Sequence, residues 1–538
     1  MSTTSYTFQS PSVTLEKGAY RMRPPRAART AAAPGPVRRS DMLAQGKKFT
    51  ALIVLLTAAT FISFATAYYL FSTRYYPSQK PVSTADHHPK VVAWPYTDHD
   101  HYEQSQYLAY LPHSGLHNQR IALENALTLA HILNRTLLLP PLRLATTPIR
   151  YLSFHPLRRA LALSTKHGLF HCPTVPAHTL TPDECQDYFH WTQVPWHWLV
   201  DLDKHQGARV LHLPTVPSPA WLAVNLGIAP SATHTLFDTG PYHFRFHDSP
   251  FPSPNPKYID SISIPDLALS PAPLLQLGTL FGSSRLHLKL PANKAIRRSI
   301  RRSMAFDNPD LNHAARVVHD LLGGTYLGAH LRLGDGRFRD GAAANARVVW
   351  WKLVHRILGI AIEDTMALER TLRVFHRGND TEDDLDPPII YPDLPSLRTP
   401  HPPLPPLPET FSLHIPCRGA LHTNPTLGRL NVPLFISTDS ADPERDPLLA
   451  AFLATFPCTF FLGDFDGRAG AALGVLRTLT NAYDSTPLFP FLRPLVDALV
   501  VAGAREVVGT EGSTFSTFVA DVLWRVGKGS EWEIVERG

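Results

Sequence analysis

The sequence predicts an α/β protein in which two Rossmann-like lobes face a cleft, preceded by a single transmembrane helix. Three observations predict this architecture: a strand-loop-helix-strand pattern over residues 107–141, a second run of alternating strands and helices after residue 325, and an uncharged apolar stretch over residues 49–71. Alternating strands and helices are typical of parallel sheets covered by helices. A chain of 538 residues is long enough for two large lobes with additional segments.

Composition and short motifs exclude several classes of function. The formal net charge is +6, and much of it lies in the N-terminal tail, so the sequence does not indicate a nucleic-acid partner. The chain contains neither a GxGxxG motif nor a GxxxxGK[ST] motif, so neither dinucleotide binding nor Walker-type phosphate binding is indicated.

Residues 1–48 are predicted to be a disordered cytosolic tail. They are polar, rich in Ala, Pro and Ser, and show no apolar period. Nine Lys and Arg residues stand against Glu16 and Asp41 in this stretch. This excess of positive charge next to an apolar stretch favours a cytosolic location.

Residues 49–71 are predicted to form the transmembrane helix. The stretch holds no charge over 23 residues, enough to span about 30 Å of hydrocarbon. Lys47 and Lys48 precede it, and tyrosines lie at its far end. The positive-inside rule then predicts a single-pass type II protein of the ER or Golgi with a lumenal catalytic domain. A cleaved signal peptide fits less well, because the apolar run is too long and starts too far from Met1. Residues 72–101, which contain four prolines, are predicted to be a stem.

The N-terminal lobe is predicted to span residues 102–305. It opens with a strand at Tyr107–Leu111, a helix at Ile121–Leu133 and a strand at Thr136–Leu139. Further predicted elements are strands at Arg209–Leu213 and Ser283–Lys289 and a basic amphipathic helix at Ile296–Arg302.

The C-terminal lobe is predicted to span residues 306–538. It opens with a strand at Thr325–Leu333 and a long helix at Val348–Leu372. A Pro-rich insertion at 381–409 is predicted to be an exposed spacer of polyproline type. The remaining predicted elements are strands at Val432–Thr438, Thr459–Leu462 and Glu506–Gly509 and helices at Pro443–Phe456, Pro490–Ala504 and Ser513–Val526.

The four cysteines allow two disulfides. Cys172 and Cys185 are close enough in sequence to pair, and Cys417 with Cys458 is a possible second bridge; free buried thiols are the alternative.

The histidines between 155 and 197 match no compact zinc pattern, so we expect no metal site. Asn134 and Asn379 begin glycosylation sequons. Asn379 lies in an apparent loop and is available, whereas Asn134 precedes a core strand, which favours burial.

Three strand-end loops carry the polar groups of the predicted site: Gly115–Arg120, His330–Asp335 and Gly509–Phe518. Ligands of parallel α/β sheets bind at the carboxyl ends of the strands, and helix N-termini there favour anions. The loops supply an Asn amide, a guanidinium, hydroxyls and backbone N–H groups, which are donors for a diphosphate. The sequence therefore predicts a phosphorylated ligand between the two lobes.

The motifs HSGLHNQRIALENALTLA, HLRLGD and EGSTFSTF, in this order and roughly this spacing, resemble the GDP-fucose protein O-fucosyltransferase family in a fungal form. The resemblance covers about residues 102–526. It implies a GT-B glycosyltransferase fold in which the C-terminal lobe holds most of the sugar nucleotide. It also implies an inverting transfer of fucose from GDP-fucose to a protein Ser or Thr hydroxyl, with no metal and no other cofactor. A glycan acceptor and a catalytically inactive lumenal binding protein of the same fold are the alternatives.

The resemblance also implies the residues of the site. Arg332 matches the arginine that grips the β-phosphate, where negative charge grows as the bond to C1 of fucose breaks. Asn118 matches the asparagine near the phosphate and the fucose, and Asp439 matches an acid that contacts the nucleobase. The predicted catalytic residues are Arg332, Asn118 and His117. The predicted GDP-fucose-binding residues are Gly115, Asn118, His330, Arg332, Asp439, Ser513, Thr514 and Phe515.

Structural alternatives for these residues remain open at this point. Arg332 can instead form an ion pair with Asp335, Asn118 can cap a helix, and Ser513 with Thr514 can form an ordinary N-cap.

The sequence does not identify a general base: Glu124, His117 and Asp335 are all candidates, and Glu124 is expected to face away from the cleft. Two DxD sequences, at 201–203 and 464–466, are expected to occur by chance.

Overall fold

The computed structural model describes residues 54–66, 106–176, 178–202, 207, 209–250, 254–334, 336–372, 404, 406–408, 411–467 and 469–529. By its contacts the chain divides into two units, Met1–Asp86 and His87–Gly538, and the second unit contains both lobes.

The described part of the first unit is a helix at residues 54–66. The rest of the predicted transmembrane stretch 49–71 falls outside the described residues, and so do the tail and the whole of the stem 72–101. Among the described residues, no helix has both the length and the apolar character needed to cross a bilayer. The transmembrane helix at 49–71 therefore stays a prediction.

The N-terminal lobe is built on a parallel five-stranded sheet in the order β5-β2-β1-β9-β6. A three-stranded sheet (β10-β7-β8) and an antiparallel pair (β3-β4) lie beside it. The strands are β1 (Tyr107–Ala109), β2 (Thr136–Leu139), β3 (Leu142–Ala145), β4 (Trp191–Val194), β5 (Val210–His212), β6 (Thr233–Leu236), β7 (Phe244–His247), β8 (Asp260–Ser263), β9 (Leu274–Leu277) and β10 (Leu286–His287). The helices are α1 (Leu116–Ile132), α2 (Phe154–Leu163), α3 (Pro219–Leu226), α4 (Ile264–Ala268) and α5 (Pro291–Ser303).

Burial on both faces explains the opening strands of this lobe. Every residue of β1 and β2 is buried, as expected for central parallel strands between layers of helices. The register pairs Tyr107 with Thr136 on one side and with Leu274 on the other. The sequence reading missed β9, the other neighbour of β1, because its four residues lie directly after prolines 271 and 273.

The C-terminal lobe is built on a parallel four-stranded sheet in the order β13-β12-β11-β14. Its strands are β11 (Leu327–Leu331), β12 (Leu434–Thr438), β13 (Thr459–Phe460) and β14 (Glu506–Gly509). Its helices are α6 (Pro309–Leu321), α7 (Gly336–Asp340), α8 (Ala342–Trp351), α9 (Ile362–Leu372), α10 (Ala450–Thr455), α11 (Gly470–Thr478), α12 (Phe489–Gly503), α13 (Thr514–Phe518) and α14 (Trp524–Gly527). A π-helical segment follows α8 at Lys352–Ile357, and another joins α13 to α14 at Val519–Leu523.

The extents of two helices predicted in the C-terminal lobe are wrong. The single helix over Val348–Leu372 is wrong, because Gly359 adopts a left-handed conformation (φ +67°) and separates the π-helical segment from α9. The helix over Pro443–Phe456 shortens to α10. Turns precede α10 instead, in which the Leu448 N–H donates to the Asp446 carboxylate.

Most of the Pro-rich stretch 381–409 lies outside the described residues. Leu404 and Leu407 are half-buried. Leu404 packs against a core cluster shared by both lobes, and Leu407 packs against a core cluster of the C-terminal lobe. At these two positions the expectation of an exposed spacer is therefore wrong, because leucine side chains favour apolar contacts over water.

Both possible disulfides are present. Cys172 pairs with Cys185 and Cys417 with Cys458, at Cα–Cα distances of 5.4 and 4.3 Å. His171 lies beside the first bridge, but both sulfur atoms there are bonded to each other.

Asn134 is exposed, contrary to the expected burial, because the chain turns there in a left-handed conformation (φ +52°) between α1 and β2. Asn379 lies outside the described residues.

Candidate functional site

The first predicted loop is the beginning of a helix. Helix α1 begins at Leu116 with Gly115 as its N-cap, so His117, Asn118 and the two residues after them lie in its first turns. The prediction of a helix starting at Ile121 is therefore wrong at its N-terminus. Asn118 is half-buried in the third helical position, so it is not the capping residue. An added Cβ at Gly115 would meet no atom within 4 Å, so the space beside the helix start is open.

His117 joins this helix to the C-terminal lobe. Its ring lies edge-on to Phe515 with centroids 4.2 Å apart and contacts Phe518 at 5.2 Å. Neither ring nitrogen has a hydrogen-bond partner within the described residues. Burial, and then the nearby cations Arg120 and Arg332, hold the pKa of His117 well below its usual range, so the imidazole is neutral.

The end of β11 places the second loop beside this contact. His330 is buried, its ring lies 4.4 Å from that of Phe515, and its Nδ1 lies 2.7 Å from the Ser516 hydroxyl. Burial and the charge of Arg332 lower the pKa of His330 to about 3. His330 is therefore a neutral hydrogen-bonding group at the edge of the site.

Asp439 holds the Arg332 loop in place. It follows β12, and its carboxylate accepts hydrogen bonds from the backbone N–H groups of Leu333 (2.7 Å) and Gly334 (3.1 Å). It also pairs with Arg332, with Nε 3.2 Å from Oδ2, while about a third of the Arg332 side chain remains exposed. The structural ion pair of Arg332 is thus with Asp439; Asp335 lies outside the described residues. A contact between Asp439 and a nucleobase stays a prediction.

The third loop connects β14 to α13. Ser513 is the N-cap of α13 and accepts a hydrogen bond from the Ser516 N–H, so its hydroxyl has the ordinary capping role. Thr514 is exposed at the helix start. Gly509 allows β14 and α13 to approach, since an added Cβ would lie 2.5 Å from the Cβ of Ser516.

Sequence reasoning did not single out Thr510 and Ser516. The Thr510 hydroxyl accepts the backbone N–H of Arg332 at 3.0 Å, and Ser516 bonds His330. Both residues stand in the predicted loop Gly509–Phe518, but only the pairing of β14 with β11 shows which residues they contact.

Glu124 is a structural carboxylate. It is buried in α1 and accepts hydrogen bonds from Arg120, Arg297 and Arg301, the last at 2.6 Å and 2.9 Å. Burial alone would raise its pKa, but the three guanidinium groups outweigh burial and hold the pKa at about 2. The three arginines occupy its oxygens, so a general-base role is wrong for Glu124. That it faces away from the cleft stays a prediction.

Arg120 of α1 also contacts the C-terminal lobe, and sequence reasoning did not predict this contact. Its guanidinium lies 4.3 Å from the centre of the Phe518 ring, a cation–π contact.

The 464–466 DxD sequence has structural partners, since Asp464 pairs with Arg418 and Asp466 with Arg477. In the 201–203 sequence, Asp203 lies outside the described residues.

These contacts bring the three predicted loops together where the lobes meet. Arg332 and Arg120 carry positive charge there, His117 and His330 are neutral, and a helix begins at Thr514. A cationic junction with backbone and hydroxyl donors favours a phosphorylated ligand.

No family model matches the chain, and no curated protein matches it. Among solved structures, the chain is similar to the crystal structure of POFUT1 in complex with GDP-fucose, with 11% identity and a TM-score of 0.33 over 80% of this chain and 96% of that one. It is also similar to POFUT1 in complex with GDP (12% identity, TM-score 0.33, 80% and 97% covered) and to the apo form (12%, 0.30, 77% and 94%). POFUT1 is a GDP-fucose protein O-fucosyltransferase.

Proposed function

We propose that this chain is a GT-B-like glycosyltransferase that transfers fucose from GDP-fucose to a Ser or Thr hydroxyl of a protein. The observation that carries the proposal is the position of Arg332, a partly exposed guanidinium held by Asp439 beside His117 and His330 at the junction of two parallel-sheet lobes. The motif resemblance at the same three loops supports the choice of nucleotide and sugar.

In the proposed reaction the acceptor oxygen attacks C1 of fucose as the bond from C1 to the diphosphate breaks, and the configuration at C1 inverts. Arg332 stabilises the charge that grows on the β-phosphate, and its anchor on Asp439 lowers the reorganisation needed during the reaction. In this proposal Asn118 donates its amide to the phosphate or the sugar. His117, being neutral and buried, contributes a ring nitrogen for hydrogen bonding.

The proposed setting is the secretory pathway. The apolar stretch 49–71 and the basic tail support a single-pass type II protein with the two lobes in the lumen of the ER or Golgi. The two disulfides fit an oxidising compartment. Protease protection in microsomes tests this topology, because digestion of the C-terminal lobe before the membrane is dissolved would contradict it.

Two other functions compete with this proposal. A glycan acceptor would use the same donor site, and a screen of peptide and glycan acceptors separates the two possibilities. A binding protein without activity would bind GDP and GDP-fucose but release no fucose. The presence of Arg332 and Asn118 favours the enzyme.

Calorimetric titration of the full-length protein in detergent, with GDP, GDP-fucose, GDP-mannose and UDP, tests the donor. Binding of GDP and GDP-fucose in the presence of EDTA, with weaker binding of UDP, is expected, because the proposed transfer is independent of metal. Binding that requires Mn²⁺, or no binding of either guanosine nucleotide, would contradict the proposal.

A further inference from the structure

Ser114 has a strained backbone directly before helix α1. Within the described residues it is one of three residues other than glycine with a positive φ, at +65°. Such a conformation persists only where the surroundings fix it, and it clusters at functional sites. The Ser114 N–H donates to the Ile149 carbonyl at 2.6 Å, and the Ser114 carbonyl accepts from the Gln119 amide at 3.0 Å. These two hydrogen bonds hold the Ser114 backbone in a conformation of raised free energy, with its hydroxyl directed at His113.

A hydrogen-bond chain leads from that hydroxyl into the lobe. Ser114 Oγ lies 2.7 Å from His113 Nδ1, and His113 Nε2 lies 2.7 Å from Thr279 Oγ1. The Thr279 N–H donates to Asp238 Oδ2 at 2.7 Å. His113, Thr279 and Asp238 are buried. They follow β1, β9 and β6, three neighbouring strands, so the chain runs across the carboxyl ends of the sheet where ligands bind.

The outer end of this hydrogen-bond chain, Ser114, lines a pocket. Ser114 and His113 line it together with Gln119, Arg143 and Gln193. Ser114 precedes His117 by three residues, so their Cα atoms are at most about 11 Å apart. His117 contacts the C-terminal lobe beside Arg332. The pocket therefore lies at the start of the same helix that contacts the C-terminal lobe through His117.

His113 is neutral at physiological pH. Burial, and then the charge of Arg285, lower its pKa to about 4. The groups that face it are the Tyr151 and Phe281 rings, Arg285, and Asp238 through Thr279. A neutral imidazole has one donor and one acceptor nitrogen, as a chain between two hydroxyls requires.

We propose that Ser114 and His113 remove the proton from the acceptor hydroxyl, so that Ser114 is a catalytic residue and His113 a positioning residue that acts through it. This inference rests on the proposed function. The acceptor oxygen forms its bond to C1 with a lone pair, and the electron pair of the bond from C1 to the phosphate leaves with GDP. The acceptor proton passes to Ser114 Oγ while the Ser114 proton passes to His113 Nδ1. Asp238 then lies near the new positive charge.

A weak base is sufficient for this step. As the acceptor oxygen bonds to C1 it becomes an oxonium, which is a far stronger acid than an imidazolium. The proton therefore moves to His113 although burial weakens that base. Charge stays balanced, since the imidazolium forms as the leaving diphosphate gains a negative charge.

The test compares water and azide as acceptors of fucose from GDP-fucose, in the full-length protein. Water must lose a proton, whereas azide has none to lose. Ser114→Gly removes the hydroxyl and tolerates φ +65° without strain, and His113→Gln keeps a polar side chain that does not titrate. We expect GDP release with water to fall by about 100-fold or more in both variants, and azide to restore most of the rate. Affinity for GDP should change by less than about twofold, because neither residue is assigned to the nucleotide.

Matched controls are Ser153→Gly and His155→Gln, two exposed positions outside the chain of hydrogen bonds, which should match the wild type. Wild-type hydrolysis by the Ser114 and His113 variants would overturn the relay but not the donor. Equal loss with water and azide, or no rescue by azide, would also overturn it and indicate a purely structural role. No GDP release by the wild type would overturn both the transfer and the relay, while GDP binding reports on the nucleotide site separately.

Discussion

Buried partners set the charge of each residue in the site. His117 and His330 sit among aromatic rings and cations and stay neutral, whereas Arg332 is held by a carboxylate that also binds its loop. Desolvation penalises the charged form of each imidazole, so positive charge concentrates on the guanidinium groups. The junction of the lobes therefore presents guanidinium groups that stay charged at physiological pH, next to neutral hydrogen-bonding groups.

Substitution of Arg332 is the first residue-scale prediction. Arg332→Ala should lower kcat for transfer by about 100- to 1000-fold, because the β-phosphate loses a pre-placed donor. Arg332→Lys keeps the positive charge but loses the bidentate donors of the guanidinium, so its kcat should lie between those of the wild type and Arg332→Ala. Circular dichroism should be unchanged, and Arg316→Ala, at an exposed position of α6, serves as the control. Wild-type turnover by folded Arg332→Ala would contradict the assignment of the Arg332 loop to the β-phosphate.

Glu124 carries the second residue-scale prediction. Glu124→Gln leaves three arginines in a buried cluster without their carboxylate, so the free energy of unfolding should fall by about 3–5 kcal/mol. Urea unfolding at pH 7 measures this loss, and exposed Glu363→Gln should change it by less than about 0.5 kcal/mol. Equal stability of the two variants would show that the cluster contributes nothing.

The same carboxylate predicts a pH dependence. Its pKa is about 2 in the folded protein against 4.5 ordinarily, so the unfolded chain binds the proton more readily. The stabilisation from Glu124 is then fully present above about pH 4.5 and is lost as pH falls towards 2. The stability difference between wild type and Glu124→Gln should shrink over that interval. A difference that stays constant from pH 6 to pH 3 would contradict the assigned pKa.

At the scale of elements, helix ends and cross-links decide where the chain changes direction. Gly359 ends the helical run after α8, and Gly115 is the N-cap at which α1 begins. The disulfide Cys417–Cys458 ties the segment before β12 to the start of β13, while Cys172–Cys185 closes a loop outside the main sheet. The two bridges therefore constrain different amounts of chain.

Removal of the disulfides tests this difference. The sequence separations are 41 and 13 residues. On loop entropy alone, Cys417→Ser/Cys458→Ser should lower the free energy of unfolding by about 1 kcal/mol more than Cys172→Ser/Cys185→Ser. Denaturant unfolding of the two double variants measures the difference. A larger loss for the shorter loop would show that packing at Cys172 outweighs the entropy of the chain.

At the scale of the whole molecule, a buried ion pair joins the two lobes. Lys166 from the N-terminal lobe lies 2.7 Å from Asp484, between α11 and α12, and both side chains are only 1% exposed. Thr486 and Thr192 complete the hydrogen bonds of this pair. The Asn481 amide adds a contact to the Gln193 carbonyl, next to the pocket of Ser114. The contact fixes one lobe against the other beside this pocket.

Breaking one side of this pair should destabilise the protein by about 3–5 kcal/mol. Asp484→Asn leaves a buried ammonium without its carboxylate, whereas Lys166→Met/Asp484→Asn removes the charge and should recover most of the loss. Calorimetric unfolding should show one transition for the wild type and two for Asp484→Asn, since the lobes then unfold separately. Losses that simply add in the double variant would contradict the coupling. Asp442→Asn, in an exposed pair with Arg445, is the control.

Local pattern was sufficient for the elements whose contacts are local. An apolar run bounded by turn residues predicted β2 and β14 at their observed bounds, and cysteine spacing allowed the two disulfides that form. Local pattern was insufficient at β9, where prolines directly precede a short strand. It was also insufficient at Gly359, which interrupts a helix that the apolar period predicts to be continuous.

The sequence by itself determined that polar loops follow buried strands and that Arg332 stands in one of them. Only the tertiary structure decided what those loops meet, because strand order is set by packing between segments far apart in the chain. The order β12-β11-β14 puts Asp439 and Thr510 on either side of Arg332. The order β1-β9-β6 likewise brings His113, Thr279 and Asp238 together at one sheet edge, which no local pattern indicates.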